Sequence, residues 1–276
     1  MNTTAQATSR KSLFVAALAV ILATGLAAPG RAGFDSFVIR EGGGNPPTIQ
    51  TNNDFVIGAT EFIIDTGGMK AALGSNDING STIGDITQLS ITRHDNTARF
   101  TAGSGPAVAP YFNLWVTDGA GNYAVIANEP SNGAFQPLFT SNVDGSKSYD
   151  LSYADLSDKV AKVYETPGWN SNSSWVHSLV GSDPLTFADV ASLIIAPPPA
   201  SYIQNGANGV GSGAPDVLGT DVAYGFNWVF GDTLSNYVSG EDGYIVSGFS
   251  ATAVPEPTSI ALAGLGLALM GFRIRR

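Results

Sequence analysis

Few groups in this chain could do chemistry. Residues 33–253 hold five glutamates (Glu41, Glu61, Glu129, Glu165 and Glu241), two histidines (His94 and His177) and no cysteine. Without cysteine there is no thiolate nucleophile, no disulfide and no sulfur-ligated zinc. Neither histidine has a second one four residues away, so a zinc site would need both of them plus carboxylates from distant segments. A Ser-His-Asp triad assembles across a chain, but no G-x-S-x-G elbow marks a nucleophile, and phosphate-cradling and dinucleotide glycine motifs are missing. Glycoside hydrolysis would take two carboxylates facing a cleft. Glu61 lies inside an apolar run, Ala59–Asp65. Alternation puts Glu61, Ile63 and Asp65 on one side and Phe62 and Ile64 on the other, which favours a solvent-face carboxylate over a catalytic one.

Two weaker patterns concern binding. Asp77, Asn79, Ser81 and Asp85 space oxygen ligands along a loop as a calcium site would. The run departs from an EF-hand in its glycine and lacks the closing Glu, and an Asx-rich turn accounts for it equally well. A structural calcium is the one cofactor weighed; no other is expected. Trp169 and Trp175 fall in a stretch rich in Ser and Asn. Aromatic rings among amides can stack on sugars, although two loop anchors packing on a core would read the same way.

The elements that must position these groups read as strands. Ala109–Thr117 alternates, Asp118–Asn122 turns and Tyr123–Asn128 returns, a hairpin by pattern. Phe55–Asp65, Ile86–Arg93, Arg99–Ala102, Gly225–Phe230 and Tyr244–Ala251 read similarly. An internal echo links Leu151–Leu156 with Leu185–Val190, where Ser152 precedes Asp155 and Thr186 precedes Asp189 by three positions. That spacing is a capping box and predicts one short helical turn in each copy. A strand is expected after each, Lys159–Glu165 and Ser192–Ala196, in one sheet. Short strands separated by glycine-rich turns predict an all-β, antiparallel β-sandwich with short capped turns. The core resembles jelly-roll sandwich domains, among which glycan-binding and adhesive modules are common.

Both ends differ from this core. Arg10 and Lys11 precede an uncharged run that ends at Gly30-Arg31-Ala32, a secretory signal peptide by pattern, with cleavage by signal peptidase expected after Ala32. At the other end, Val254, Pro255, Glu256 and Pro257 form an extended hinge, because the two prolines remove backbone donors. Ile260–Phe272 follows without a charge, carrying Ile260, Leu262, Leu265, Leu267, Leu269, Met270 and Phe272, and Arg273, Arg275 and Arg276 close the chain. The apolar run is shorter than the ~20 residues of a durable transmembrane helix, which suits a transient membrane stop with a cytoplasmic basic end. This tail resembles the PEP-CTERM sorting signal, which implies processing by an exosortase-type enzyme. The expected organisation is a signal peptide over 1–32, a sandwich over 33–253 and a sorting tail with a short hydrophobic helix over 254–276.

Residues 33–253 carry seven Lys and Arg against 22 Asp and Glu, a formal charge of −15. Nucleic acid is excluded as a partner, since it needs basic patches. The reading is an exported protein of the bacterial cell envelope, outer surface or extracellular matrix, non-catalytic and structural or associated with exopolysaccharide. The alternative is a secreted polysaccharide hydrolase. Intact-mass spectrometry of the exported protein should find residues 1–32 and Ile260–Arg276 gone; retention of the tail would contradict processing near Pro255-Glu256-Pro257.

Overall fold

The computed structural model describes residues 33–96, 109–128, 133–165, 175–181, 184–204, 223–231 and 237–254. Among the described residues there are thirteen strands: β1 (Asp35–Arg40), β2 (Thr48–Asn52), β3 (Ala59–Ile63), β4 (Lys70–Ser75), β5 (Ile86–Arg93), β6 (Tyr111–Thr117), β7 (Tyr123–Ala127), β8 (Thr140–Ser141), β9 (Lys147–Leu151), β10 (Lys162–Glu165), β11 (Ile194–Ile195), β12 (Phe226–Phe230) and β13 (Tyr244–Ala253). One sheet runs β1-β4-β12-β6-β7-β10, with β11 also on β6, and the other runs β2-β3-β13-β5-β9-β8. Neighbouring strands are antiparallel throughout both. The helices are short: α1 (Tyr153–Leu156), α2 (Trp175–Val180) and α3 (Ala200–Gln204). The all-β sandwich is therefore the observed fold.

Rings hold the two sheets together. Phe62 of β3 stacks on Phe230 of β12 with centroids 4.2 Å apart, and Tyr149 of β9 stacks on Trp228 of β12 at 5.8 Å. The Trp228 indole N–H also crosses the gap, donating to the Ser90 carbonyl at 3.2 Å. Full burial of each such ring contributes roughly 1.5–3 kcal/mol. The first sheet is apolar on its outer face as well. Phe112, Leu114 and Val116 join the central core, while Trp115 joins a separate cluster with Val125 and Ile203. All five residues of β12 are buried.

Most predicted strands are present with shifted ends. The Ala109–Asn128 hairpin pairs Thr117 with Tyr123 and Asn113 with Ala127. Ile86–Arg93 is β5. Phe55–Asp65 shrinks to Ala59–Ile63, because residues 53–58 turn the chain. Arg99–Ala102 lies outside the described residues. The echo is architectural; the first copy forms the expected helical turn, α1, whereas the second makes hydrogen-bonded turns without a helix. Asp155 accepts from the backbone N–H and hydroxyl of Ser152 at 2.8 and 2.7 Å, and Asp189 accepts from those of Thr186, both at 2.7 Å. The strands that follow, β10 and β11, lie in one sheet. A third turn uses the same device, with Asp85 accepting from Thr82 at 3.0 and 2.7 Å.

One end of the sandwich is sealed by a buried ion pair. Arg93 donates through Nε and Nη2 to the two oxygens of Asp95, at 2.8 and 2.7 Å, and through Nη1 to the Ala109 carbonyl at 2.7 Å. Asp95 also accepts from the Ile245 N–H at 3.0 Å. The guanidinium lies 4.6 Å from the Tyr244 ring centroid. Both side chains are within 1% of complete burial. Asp95→Ala strands a buried guanidinium, so thermal or urea unfolding should show a loss of about 3–5 kcal/mol; a loss under 1 kcal/mol would contradict the clasp.

The caps carry a pH signature. The Asp155 carboxyl is held below its ordinary value of 3.8 chiefly by the Ser152 hydroxyl, and that of Asp189 chiefly by the Thr186 backbone N–H and then its hydroxyl. A depressed folded-state value adds stability that is complete above the unfolded value of about 4 and lost as pH falls through the folded one. The stability gap between wild type and the Ser152→Ala/Thr186→Ala variant should be full at neutral pH and narrow below about pH 4. Urea midpoints across that range check it, and a pH-independent gap would count against the caps.

Candidate functional site

β5 and β13 pair Arg93 with Val246, and both run on into a cleft of about 510 Å³. His94, Asp95 and Asn96 continue β5 along one wall, Asp144 and Ser146 come from the β8–β9 turn, Asp242 precedes β13, and Phe55 and Val56 reach in from the β2–β3 loop. Asp95 is committed to Arg93 and shapes the wall. His94, next in line, points elsewhere: its Nε2 lies 2.7 Å from Ser247 Oγ, and its backbone N–H donates to the Ile245 carbonyl at 2.8 Å. Asp144 accepts from the hydroxyl and the backbone N–H of Ser146 at 2.6 and 3.0 Å. These bonds, the hydroxyl first and the His94 charge least, hold its carboxyl below 3.8. Asp144 and Asp242 are both exposed. The cleft thus presents the Asp144 carboxylate to solvent at neutral pH.

Its apolar lip is held in place. The Asp54 N–H donates to Asn52 Oδ1 and the Gly58 N–H to Asn53 Oδ1, both at 2.8 Å, and the Ala59 N–H closes on the Val56 carbonyl at 3.1 Å. The loop so fixed leaves Phe55, Val56 and Ile57 at 51, 39 and 91% exposure. Three consecutive exposed apolar residues thus stand on a pinned loop beside the cleft.

Glu61 anchors that hairpin, which corrects the solvent-face expectation. Its carboxylate is buried and accepts from Gln50 Nε2 at 2.7 Å, Asn52 Nδ2 at 3.2 Å and the Gly243 N–H at 2.7 Å. Residue 243 must be glycine here, since a Cβ would stand 2.5 Å from the Phe62 carbonyl oxygen. Alternation places Glu61 correctly off the central core; its burial comes from the strands on either side of β3, with Gln50 and Asn52 on β2 and Gly243 at the entry to β13.

The other sequence candidates lie apart. Glu165 and His177 meet in the interior: Glu165 accepts from the Val176 N–H at 2.7 Å through one oxygen and contacts His177 Nδ1 through the other. This pair latches α2 to the edge strand β10. The two histidines therefore serve different sheets and form no joint zinc site. Asp77 accepts from the Ser75 hydroxyl at 2.6 Å, Asn79 donates to Asn76 Oδ1 at 2.9 Å, Ser81 pairs its backbone with Ile78 and Ile195, and Asp85 caps Thr82. Among the described residues no three His, Asp or Glu gather as a metal cage would. Trp175 is half-buried on the core and donates its indole N–H to the Tyr123 carbonyl at 3.2 Å. Trp169 lies outside the described residues, as do residues 255–276 of the tail. Among the described residues no helix is long and apolar enough to cross a membrane.

The sandwich ends where the tail begins. β13 closes at Ala253, and the Val254 N–H donates to the Asp85 carbonyl at 2.8 Å. Residues 253–276 match the family model of the PEP-CTERM protein-sorting motif. No curated protein and no solved structure matches the chain. The motif covers the tail alone, and it indicates a protein exported to the cell envelope or surface and targeted to exosortase.

Proposed function

We propose that the sandwich is a non-catalytic surface or matrix module that binds a neutral exopolysaccharide at the cleft. The observation that carries this reading is the pinned, exposed Phe55 beside outward-facing Asp144 and Asp242. A pyranose ring offers an apolar face to an aromatic and hydroxyl edges to carboxylates, so one cleft with both kinds of group suits it. The charge of −15 over residues 33–253 disfavours an anionic polymer and leaves a neutral one. Trp169 and Trp175 form a second candidate contact, the latter through the ring surface it leaves uncovered. A calcium ion bridging polymer and carboxylate is compatible with the acidic cleft.

One observation favours a hydrolase as the second reading. Ser247 lies 2.7 Å from His94 and immediately precedes a bulge at which Gly248 takes φ +66°. Bulges often re-aim side chains beside active sites. A hydroxyl and an imidazole in contact are two parts of a nucleophile pair, but among the described residues no carboxylate hydrogen-bonds the ring of His94. That deficiency ranks the reading second.

Pull-down of the exported protein on the producing organism's own exopolysaccharide, with calcium and with chelator, decides between them while released sugar is assayed. Retention without sugar release is expected, with Phe55→Ala weakening it about 3- to 10-fold, the size of one aromatic contact. Sugar release abolished by Ser247→Ala would establish the hydrolase instead, and no retention under either condition would overturn both.

A further inference from the structure

We infer that the free edge of β2 pairs antiparallel with β2 of a second copy of this chain, so that the protein self-associates sheet to sheet. The inference goes beyond the polymer reading and does not depend on it. An unpaired edge strand is a template for another strand, and folded proteins blunt it with charge, bulges, brevity or cover. Three of the four edges here are blunted in this way. β1 ends on Arg40, and its register breaks between Val38 and Arg40. β8 spans two residues. β10 begins on Lys162 and holds α2 through Glu165. β2 has none of these devices. Its five residues, Thr48–Asn52, hold no charge and pair with β3 in unbroken register. Pro46 and Pro47 stop short of the strand.

The ladder fixes which groups this edge presents. Ile245 of β13 turns its N–H to Asp95 and its carbonyl to the His94 N–H, both on the β5 side. Backbone groups alternate sides along an antiparallel strand, so Tyr244 and Val246 turn toward Phe62 and Thr60 of β3. Glu61 and Ile63 are left to bond Gln50 and Thr48, which sends the N–H and C=O of Ile49 and Thr51 outward. Among the described residues nothing bonds these outward groups. Thr48, Gln50 and Thr51 are exposed. A two-fold axis at Gln50 sets Ile49 opposite Thr51 of the second copy. It satisfies every outward group of both strands and joins two six-stranded sheets into one.

What flanks β2 favours a second copy over an unrelated strand. In this register the numbers of facing residues sum to 100, so residues 53–57 of one chain run alongside 43–47 of the other. The exposed lip of Phe55, Val56 and Ile57 then meets the exposed Pro46 of the second copy, and the same contact recurs across the axis. Apolar surface left open in one chain is covered in the pair. Because the copies run antiparallel, their clefts open at opposite ends of the joined sheet. The charge of −15 over residues 33–253 of each copy opposes the pairing, which makes the association stronger as salt screens it.

The absence of cysteine makes the register directly testable. The two copies of Gln50 face each other at a non-hydrogen-bonded site, where Cα atoms lie about 4.5 Å apart, a span that a disulfide bridges. Gln50→Cys should cross-link with oxidised glutathione roughly tenfold faster than Val143→Cys, which reports random collision from a fully exposed site. Glu61 keeps Asn52 and Gly243 as donors in that variant. Sedimentation of the exported protein should show a monomer–dimer equilibrium that tightens about fivefold from low to high salt. Thr51→Pro removes an outward N–H from each copy and spares the bonds to β3, as proline on an edge strand can. It should weaken association about tenfold with an unchanged urea midpoint. Ile57→Ser, outside the ladder and 91% exposed, should weaken it about 3- to 10-fold. A monomer at every concentration and salt would overturn the inference and leave the edge to a strand of another protein. Association that survives both variants, or equal cross-linking at positions 50 and 143, would overturn it in favour of another surface. Neither Thr51 nor Ile57 lines the cleft, so polymer retention by Thr51→Pro reports separately on the cleft reading.

Discussion

The second sheet depends on the chain's last strand. β13 lies between β3 and β5, so the β2–β3 hairpin reaches the β5-β9-β8 half through it alone among the described ladders. The strand that completes the ladder is made of the residues directly before the sorting motif. An antiparallel sheet with its centre strand missing leaves two unpaired edges, a state open to wrong pairing. The ladder is complete at Ala253, and a cut beyond Val254 removes nothing that it uses.

Around that strand, a strongly acidic chain manages its charges in two ways. Most carboxylates face water. A few are taken inside and given donors: Glu61 by two amides and a backbone N–H, Asp95 by Arg93, and Glu165 by the α2 backbone and His177. Buried charge is tolerated only with such partners. Each pair also fastens one element to another: the hairpin to the entry of β13, the β5 end to β13, and α2 to β10. These polar contacts hold the periphery, and the stacked rings hold the centre.

The cleft is a by-product of the same arrangement. The clasp that seals the sandwich spends Asp95 on Arg93, while alternation along the chain turns His94 the opposite way, toward Ser247. Fixed walls of this kind lower the conformational cost of binding.

Several features are local enough to be read from the residues alone. The sorting tail, the Ala109–Asn128 hairpin and the two echoed caps each depend on groups within a few positions of one another, and sandwich class follows from strand and turn spacing. Strand β4 was not legible: Lys70–Ser75 is buried at every position between β1 and β12, so it shows no alternation. Glu61 was misread for a related reason. Its backbone partner Gly243 lies 182 positions away, and no pattern near Glu61 tells that this residue leads into the strand beside it. His94 with Ser247 was likewise joined by sheet topology, and Glu165 with His177 by the packing of α2 on β10. Short-range bonding chemistry is written in the order of residues, whereas burial and convergence depend on which distant strands become neighbours, and that was settled by packing two sheets around one core.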